Sequence, residues 1–140
     1  MTSLIMVSLA AAIAAYLGNR LLFRTLGARA AVTLVPWWEE AAKLAAAAAV
    51  PSFPMLYVHV IFGALEFAYD IWRGRNDAFF LGLLTFAGHG LFGSVAMLTA
   101  DSMGARWWAY AAAGLMHMLY NAAVIYVVLP TLGAGIHARR

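Results

Sequence analysis

Apolar runs long enough to cross a bilayer follow one another through this chain of 140 residues. That pattern restricts the fold more than any other feature. Lipid offers no hydrogen bonds to peptide groups, so only helices or a closed barrel can span it. Several runs exceed the ~18 residues that read as spanning helices, and they are rich in Ala, Leu and Met, without the alternating polarity of barrel strands. The expected fold is therefore all-α, a polytopic transmembrane bundle of about five helices forming a single integral membrane domain over residues 1–140.

The expected spans are Ser3 to Leu22, Val35 to Val50, Met55 to Trp72, Ala78 to Thr99 and Trp107 to Leu129. Polar or proline-containing connections separate them, such as Pro51-Ser52-Phe53-Pro54 and Arg73-Gly74-Arg75-Asn76-Asp77. The first span lacks a basic segment ahead of it and a small-residue cleavage site after it, so it reads as a retained helix. Charged residues make up 11% of the chain, against roughly 25% in soluble domains. The absence of cysteine excludes disulfides, thiol catalysis and thiolate metal sites.

The net charge of +3 does not make a nucleic-acid surface, because the basic residues fall between apolar runs and report topology instead. Arg20, Arg24, Arg29, Arg73, Arg75, Arg139 and Arg140 occupy the first, third and C-terminal connections. Arg106 stands alone in the fourth. The bias predicts an outside N-terminus and a cytoplasmic C-terminus, and Trp37-Trp38, Trp72 and Trp107-Trp108 fall where interfacial anchors belong.

Against this background the few polar residues inside the apolar runs stand out. A charge at the bilayer centre costs at least ~2.5 kcal/mol, and such residues mark pathways or reaction centres. Glu39 and Glu40 are adjacent, and Lys43 follows at i,i+4 and i,i+3, so the lysine can pair with either carboxylate. One acid is then left over for acid/base work. A cap at an interfacial helix start is the competing reading for these acids.

His59, Gly63, Glu66 and Asp70 share one helical stripe. Asp70 is near the helix end and reads as a partner for Arg73 or Arg75, and His59 as a buried hydrogen-bonding histidine. His89 sits in Gly88-His89-Gly90-Leu91-Phe92-Gly93, where glycines leave room for a neighbouring helix, water or peptide. His117 and Asn121 lie one turn apart on one face, with Tyr120 beside them. By depth, Glu39, Glu66, His89, His117 and Asn121 all fall between the midplane and one surface, so four helices direct polar groups to a common level.

Taken in order, Glu-Glu-x-x-Lys at 39–43, Gly-Ala-Leu-Glu at 63–66, His-Gly-Leu-Phe-Gly at 89–93 and His-x-x-x-Asn at 117–121 resemble the PrsW-type intramembrane proteases. More distantly they resemble the CPBP group that includes the CAAX prenyl endopeptidases. The resemblance covers about Pro36 to Val128. Leu44 stands where the CPBP pattern has arginine and Thr85 where it has an aromatic, and both departures lean toward PrsW. Phe67 departs from PrsW itself, where a polar amide often follows the acid. The chain is also short for either group, which implies a minimal core, a degenerate relative or an oligomer.

The resemblance implies an intramembrane endopeptidase in a prokaryotic cell membrane, hydrolysing a peptide bond of a membrane-anchored protein or peptide. It casts Glu39 with His89 as the activators of water and His117 with Asn121 as oxyanion donors. Glu40 with Lys43 would set the charge balance, and Glu66 would be a second acid or a positioning group. A metal version uses the same side chains, since His89 and His117 with Glu39 or Glu66 make a two-histidine, one-carboxylate zinc set. Hydrolysis without a cofactor and hydrolysis with zinc both remain open at this level. The reading from another class is a non-catalytic carrier, ion relay or partner-binding scaffold using the same buried acids and histidines.

Overall fold

The computed structural model describes residues 1–74 and 78–130. Arg75, Asn76, Asp77 and the C-terminal Arg139 and Arg140 lie outside the described residues. Five α-helices account for nearly all of the described chain, with no strand among those residues: α1 Thr2–Leu26, α2 Leu34–Ala49, α3 Met55–Trp72, α4 Ala78–Met103 and α5 Arg106–Ala123. A short 3-10 segment, Gly27–Val32, joins α1 to α2, and a π-helical turn, Val124–Val128, extends α5.

Local chemistry sets the breaks. α1 and α4 stop at glycines with positive φ, Gly27 at 62° and Gly104 at 67°, a conformation that side chains disfavour. α2 carries Pro36 in its first turn, where no intrahelical N–H is lost. It ends before Pro51, which pushes Val50 out of the helical region. α4 runs to Met103 and so absorbs Asp101 and Ser102, which the sequence had suggested for a connection. Hydroxyl back-bonding makes this tolerable, since Ser102 Oγ donates to the Leu98 carbonyl.

α1, α3, α4 and α5 with its π-helical extension are long and apolar enough to cross a membrane. The shorter α2 has 16 residues, about 24 Å against ~30 Å of hydrocarbon. It is the helix that carries Glu39, Glu40 and Lys43, and it packs on α1, α3 and α5. Large apolar side chains such as Ile13, Leu17, Phe79 and Leu98 point outward, the arrangement a lipid solvent rewards.

The interior seams depend on small residues. α3 and α4 make the most extensive contact, and a Cβ placed on Gly63 would come within 2.9 Å of His89 Cβ, one on Gly93 within 2.7 Å of His59 Cβ. Each histidine thus sits opposite a glycine of the other helix. Gly88 faces the Tyr120 ring, and Gly90 faces open space. The room expected around His89 is supplied by Gly63 across the seam rather than by its sequence neighbours. Trp37 packs inward, over Gly114 and against Tyr110, while Trp107 and Trp108 stack with ring centroids 3.7 Å apart on an exposed face.

Candidate functional site

Glu39, Glu40 and Lys43 are all buried in the bundle, Lys43 completely, and α2 delivers them to one level because positions 39, 40 and 43 share a face. Lys43 Nζ donates to Glu40 Oε1 at 2.7 Å and lies 3.7 Å from Glu39 Oε2. Its remaining reach is used across the bundle, 3.0 Å to His89 Nδ1, and the ammonium sits 4.3 Å from the centre of the Phe62 ring. An ammonium only donates, so His89 Nδ1 must present its lone pair.

Glu40 is saturated. Oε1 also accepts from His117 Nδ1 at 3.0 Å, and Oε2 lies 2.8 Å from His59 Nε2. His59 completes its contacts at the Met55 carbonyl, 3.2 Å away, and is the buried hydrogen-bonding histidine the sequence suggested. A carboxylate with three close partners is a structural hub, whose main effect is to hold Lys43, His59 and His117 in place.

Glu39 is different. Oε1 accepts from Asn19 Nδ2 of α1 at 2.6 Å, but among the described residues Oε2 has Lys43 at 3.7 Å and His117 Nε2 at 3.8 Å and no closer partner. With Nδ1–H of His117 directed at Glu40, Nε2 carries a lone pair. An open carboxylate oxygen and an open imidazole nitrogen therefore face each other across a gap that one water oxygen can bridge.

His89 and Glu66 form a second pair. His89 Nε2 donates to Glu66 Oε2 at 2.5 Å, and the Glu66 side chain is 33% exposed, against 5% for Glu39 and 2% for Glu40, so it is the most open of the three glutamates. Phe92 holds both imidazoles: its ring is stacked on His117 at 4.6 Å and stands edge-on to His89 at 5.6 Å. The two imidazole centroids are 5.4 Å apart.

These groups line a cavity of about 760 Å³, walled by Glu39, Glu66, His89, His117, Tyr120 and Asn121 on one side and by Asn19, Tyr16 and Ala12 of α1 on another. Asp70, Arg73 and Arg20 are also on its wall. Five of the site residues anticipated from sequence, Glu39, Glu66, His89, His117 and Asn121, thus share one space, with Glu40 and Lys43 directly behind. Asn121 has a further engagement, because its Nδ2 donates to the Ala31 carbonyl of the 3-10 segment at 3.0 Å. Tyr120 Oη is buried with no hydrogen-bond partner among the described residues.

Asn19 is the contact that sequence reasoning missed. Next to Arg20, at the end of an apolar run, it reads as an interfacial residue, and only the packing of α1 on α2 reveals its target.

For a metal ion, the carboxylate oxygens of Glu39 and Glu66 and a ring nitrogen of His89 lie within 4.8 Å of one another. That trio differs from the two-histidine set drawn from sequence, since His117 is not among the atoms that come this close together. Ligation by His89 needs an unprotonated Nε2, whereas Lys43 at Nδ1 keeps the proton on Nε2. The present hydrogen-bond arrangement suits a proton between His89 and Glu66 better than a cation. A scan against protein-family models, a search of curated proteins and a search of solved structures each found no match.

Proposed function

We propose that the chain is a membrane-embedded hydrolase that cuts a peptide bond of a membrane-anchored substrate, with Glu39 as the principal base. The observation that carries this reading is the facing pair of open atoms, Glu39 Oε2 and His117 Nε2, 3.8 Å apart on the wall of the cavity. A water held by both is oriented by two acceptors, and either can take its proton as it attacks a carbonyl. Peptide hydrolysis, rather than another hydrolysis, rests on the sequence resemblance above.

The hydrogen bonds favour a redistribution of roles relative to the motif pattern. His117 is Glu39's neighbour and becomes the partner in activating water. His89, held between Lys43 and Glu66, becomes the donor side of a second proton-handling pair. Tyr120 Oη and the second N–H of Asn121 are the uncharged donors available for the oxyanion. The donor geometry supports a cofactor-free reaction. Protein sample carrying stoichiometric zinc, lost in His89→Ala, would replace it with a metal-assisted one.

The arginine bias supports an outside N-terminus, which puts Glu66 and the lining residues Arg20 and Arg73 toward the cytoplasm. The continuous chain from Glu66 through His89, Lys43, Glu40 and His117 to Glu39 also suits an ion relay. One experiment separates the two. Purified protein in liposomes is given a library of membrane-anchored peptides, and cleavage and proton flux are followed together. Cleavage abolished in Glu39→Gln and His117→Ala supports the hydrolase. Proton flux lost in the same variants, with no cut product from any peptide, supports the relay.

A further inference from the structure

We propose that Asn19 is a positioning residue for Glu39, set in place by a lock between α1 and α2. The proposal rests on Glu39 acting as the base, and three observations lead to it. The first is the bond itself: Asn19 Nδ2 lies 2.6 Å from Glu39 Oε1, twenty residues away on a different helix, and is the closest contact of that carboxylate. It leaves Oε2 as the oxygen that faces His117.

The second is how the two helices meet. Gly18 precedes Asn19 and Trp38 precedes Glu39, so the neighbours are paired in the same way as the polar groups. A Cβ on Gly18 would stand 1.9 Å from Trp38 Nε1, a separation no packed pair tolerates. The indole occupies that gap and donates Nε1–H to the Ala14 carbonyl at 3.1 Å. Glycine admits the indole, the indole bonds the helix backbone, and the register so fixed brings amide to carboxylate.

The third is that the amide has little else to hold it. Asn19 Oδ1 is buried with no hydrogen-bond partner among the described residues, a costly state for an acceptor. Packing, not local satisfaction, put the side chain there, and the bond to Glu39 is what it gains. A carboxylate fixed by one oxygen presents the other at a constant angle, which is what a base needs in order to hold water in line with a carbonyl.

The test compares wild type with Asn19→Leu and Asn19→Asp in the liposome assay, with thermal unfolding of each. For Asn19→Leu the expected result is a fall in kcat of about 10- to 100-fold, with KM changed less than about twofold. Asn19→Asp keeps the shape but sets a like charge against Glu39, and falls at least as far. Trp38→Phe, which loses the bond to Ala14 and the part of the indole seated over Gly18 but keeps Asn19, falls in the same direction by less. A lower unfolding temperature with kcat intact would make Asn19 a structural anchor and overturn the proposal.

An infrared measurement does not depend on turnover. The Glu39 carboxyl band, identified by its loss in Glu39→Gln, is expected to shift in Asn19→Leu because a hydrogen bond has gone. An unmoved band overturns the proposal even if activity falls. Wild-type protein that cleaves nothing would end the hydrolase reading, and the infrared band would still decide whether Asn19 holds Glu39.

Discussion

Two adjacent acids on one helix differ in the number of partners each has, and on the proposed function the more saturated one is structural and the more open one reactive. Glu40 has three close partners and Glu39 one, and the difference forecasts opposite phenotypes. Glu39→Gln is expected to lower cleavage by about 100-fold or more, the usual worth of a general base, while leaving the unfolding temperature nearly unchanged. Glu40→Gln is expected to act on stability instead. It strips a fully buried Lys43 of its 2.7 Å partner, and breaking a buried ion pair from one side costs about 3–5 kcal/mol. Thermal unfolding in detergent beside a cleavage assay separates the two, and identical profiles would remove the division. The sequence made this trio legible because charges in apolar surroundings are conspicuous, but it could not say which acid stays open. That depends on His59 and His117 arriving from other helices. Asn121 illustrates the same limit, since its bond to Ala31 exists only because the 3-10 segment folds back beneath α5.

At the level of helices, the α3–α4 seam places His59 and His89 each against a glycine of the opposing helix. Gly63→Ala and Gly93→Ala insert a methyl at 2.9 Å and 2.7 Å from histidine Cβ atoms, which are fixed to the backbone and cannot swing away. Both are expected to force the helices apart, lowering the unfolding temperature and weakening the Lys43–His89 and Glu40–His59 bonds together. Gly90→Ala meets nothing within 4 Å and, as alanine is the better helix former, should be neutral or slightly stabilising. Equal losses at all three positions would show that helix propensity, not the seam, governs the response. Helix existence was largely readable from hydropathy, and the bounds of α3 agree with it to the residue. The end of α4 was not, because Asp101 and Ser102 look like loop residues, yet their backbone bonds continue the helix to Gly104. Nor did the glycines around His89 disclose that they serve Tyr120 and His59 rather than His89 itself.

For the molecule as a whole, the proposed hydrolysis requires a membrane-anchored substrate to reach a cavity among helices. α1 packs on α2 and α3 and, among the described residues, makes no close approach to α4 or α5, although all three helices wall the cavity. On the proposed function, the space between them is the side route to test, and an apolar lining of Leu9, Ala12, Tyr16 and Phe92 suits a hydrophobic segment passing through it. The chain has no cysteine, so Ala12→Cys on α1 with Thr85→Cys on α4 supplies the only thiols, and a bismaleimide can tie the two walls together. The tie should abolish most cleavage of a membrane-anchored substrate and spare a short soluble peptide, which need not pass between the two helices. Each single-cysteine variant treated with the same reagent gives the baseline for mere obstruction. Loss of both activities in the tied protein would mean that the link fills the reaction space. Retention of both would mean that substrate does not pass between α1 and α4, and that a different seam admits it.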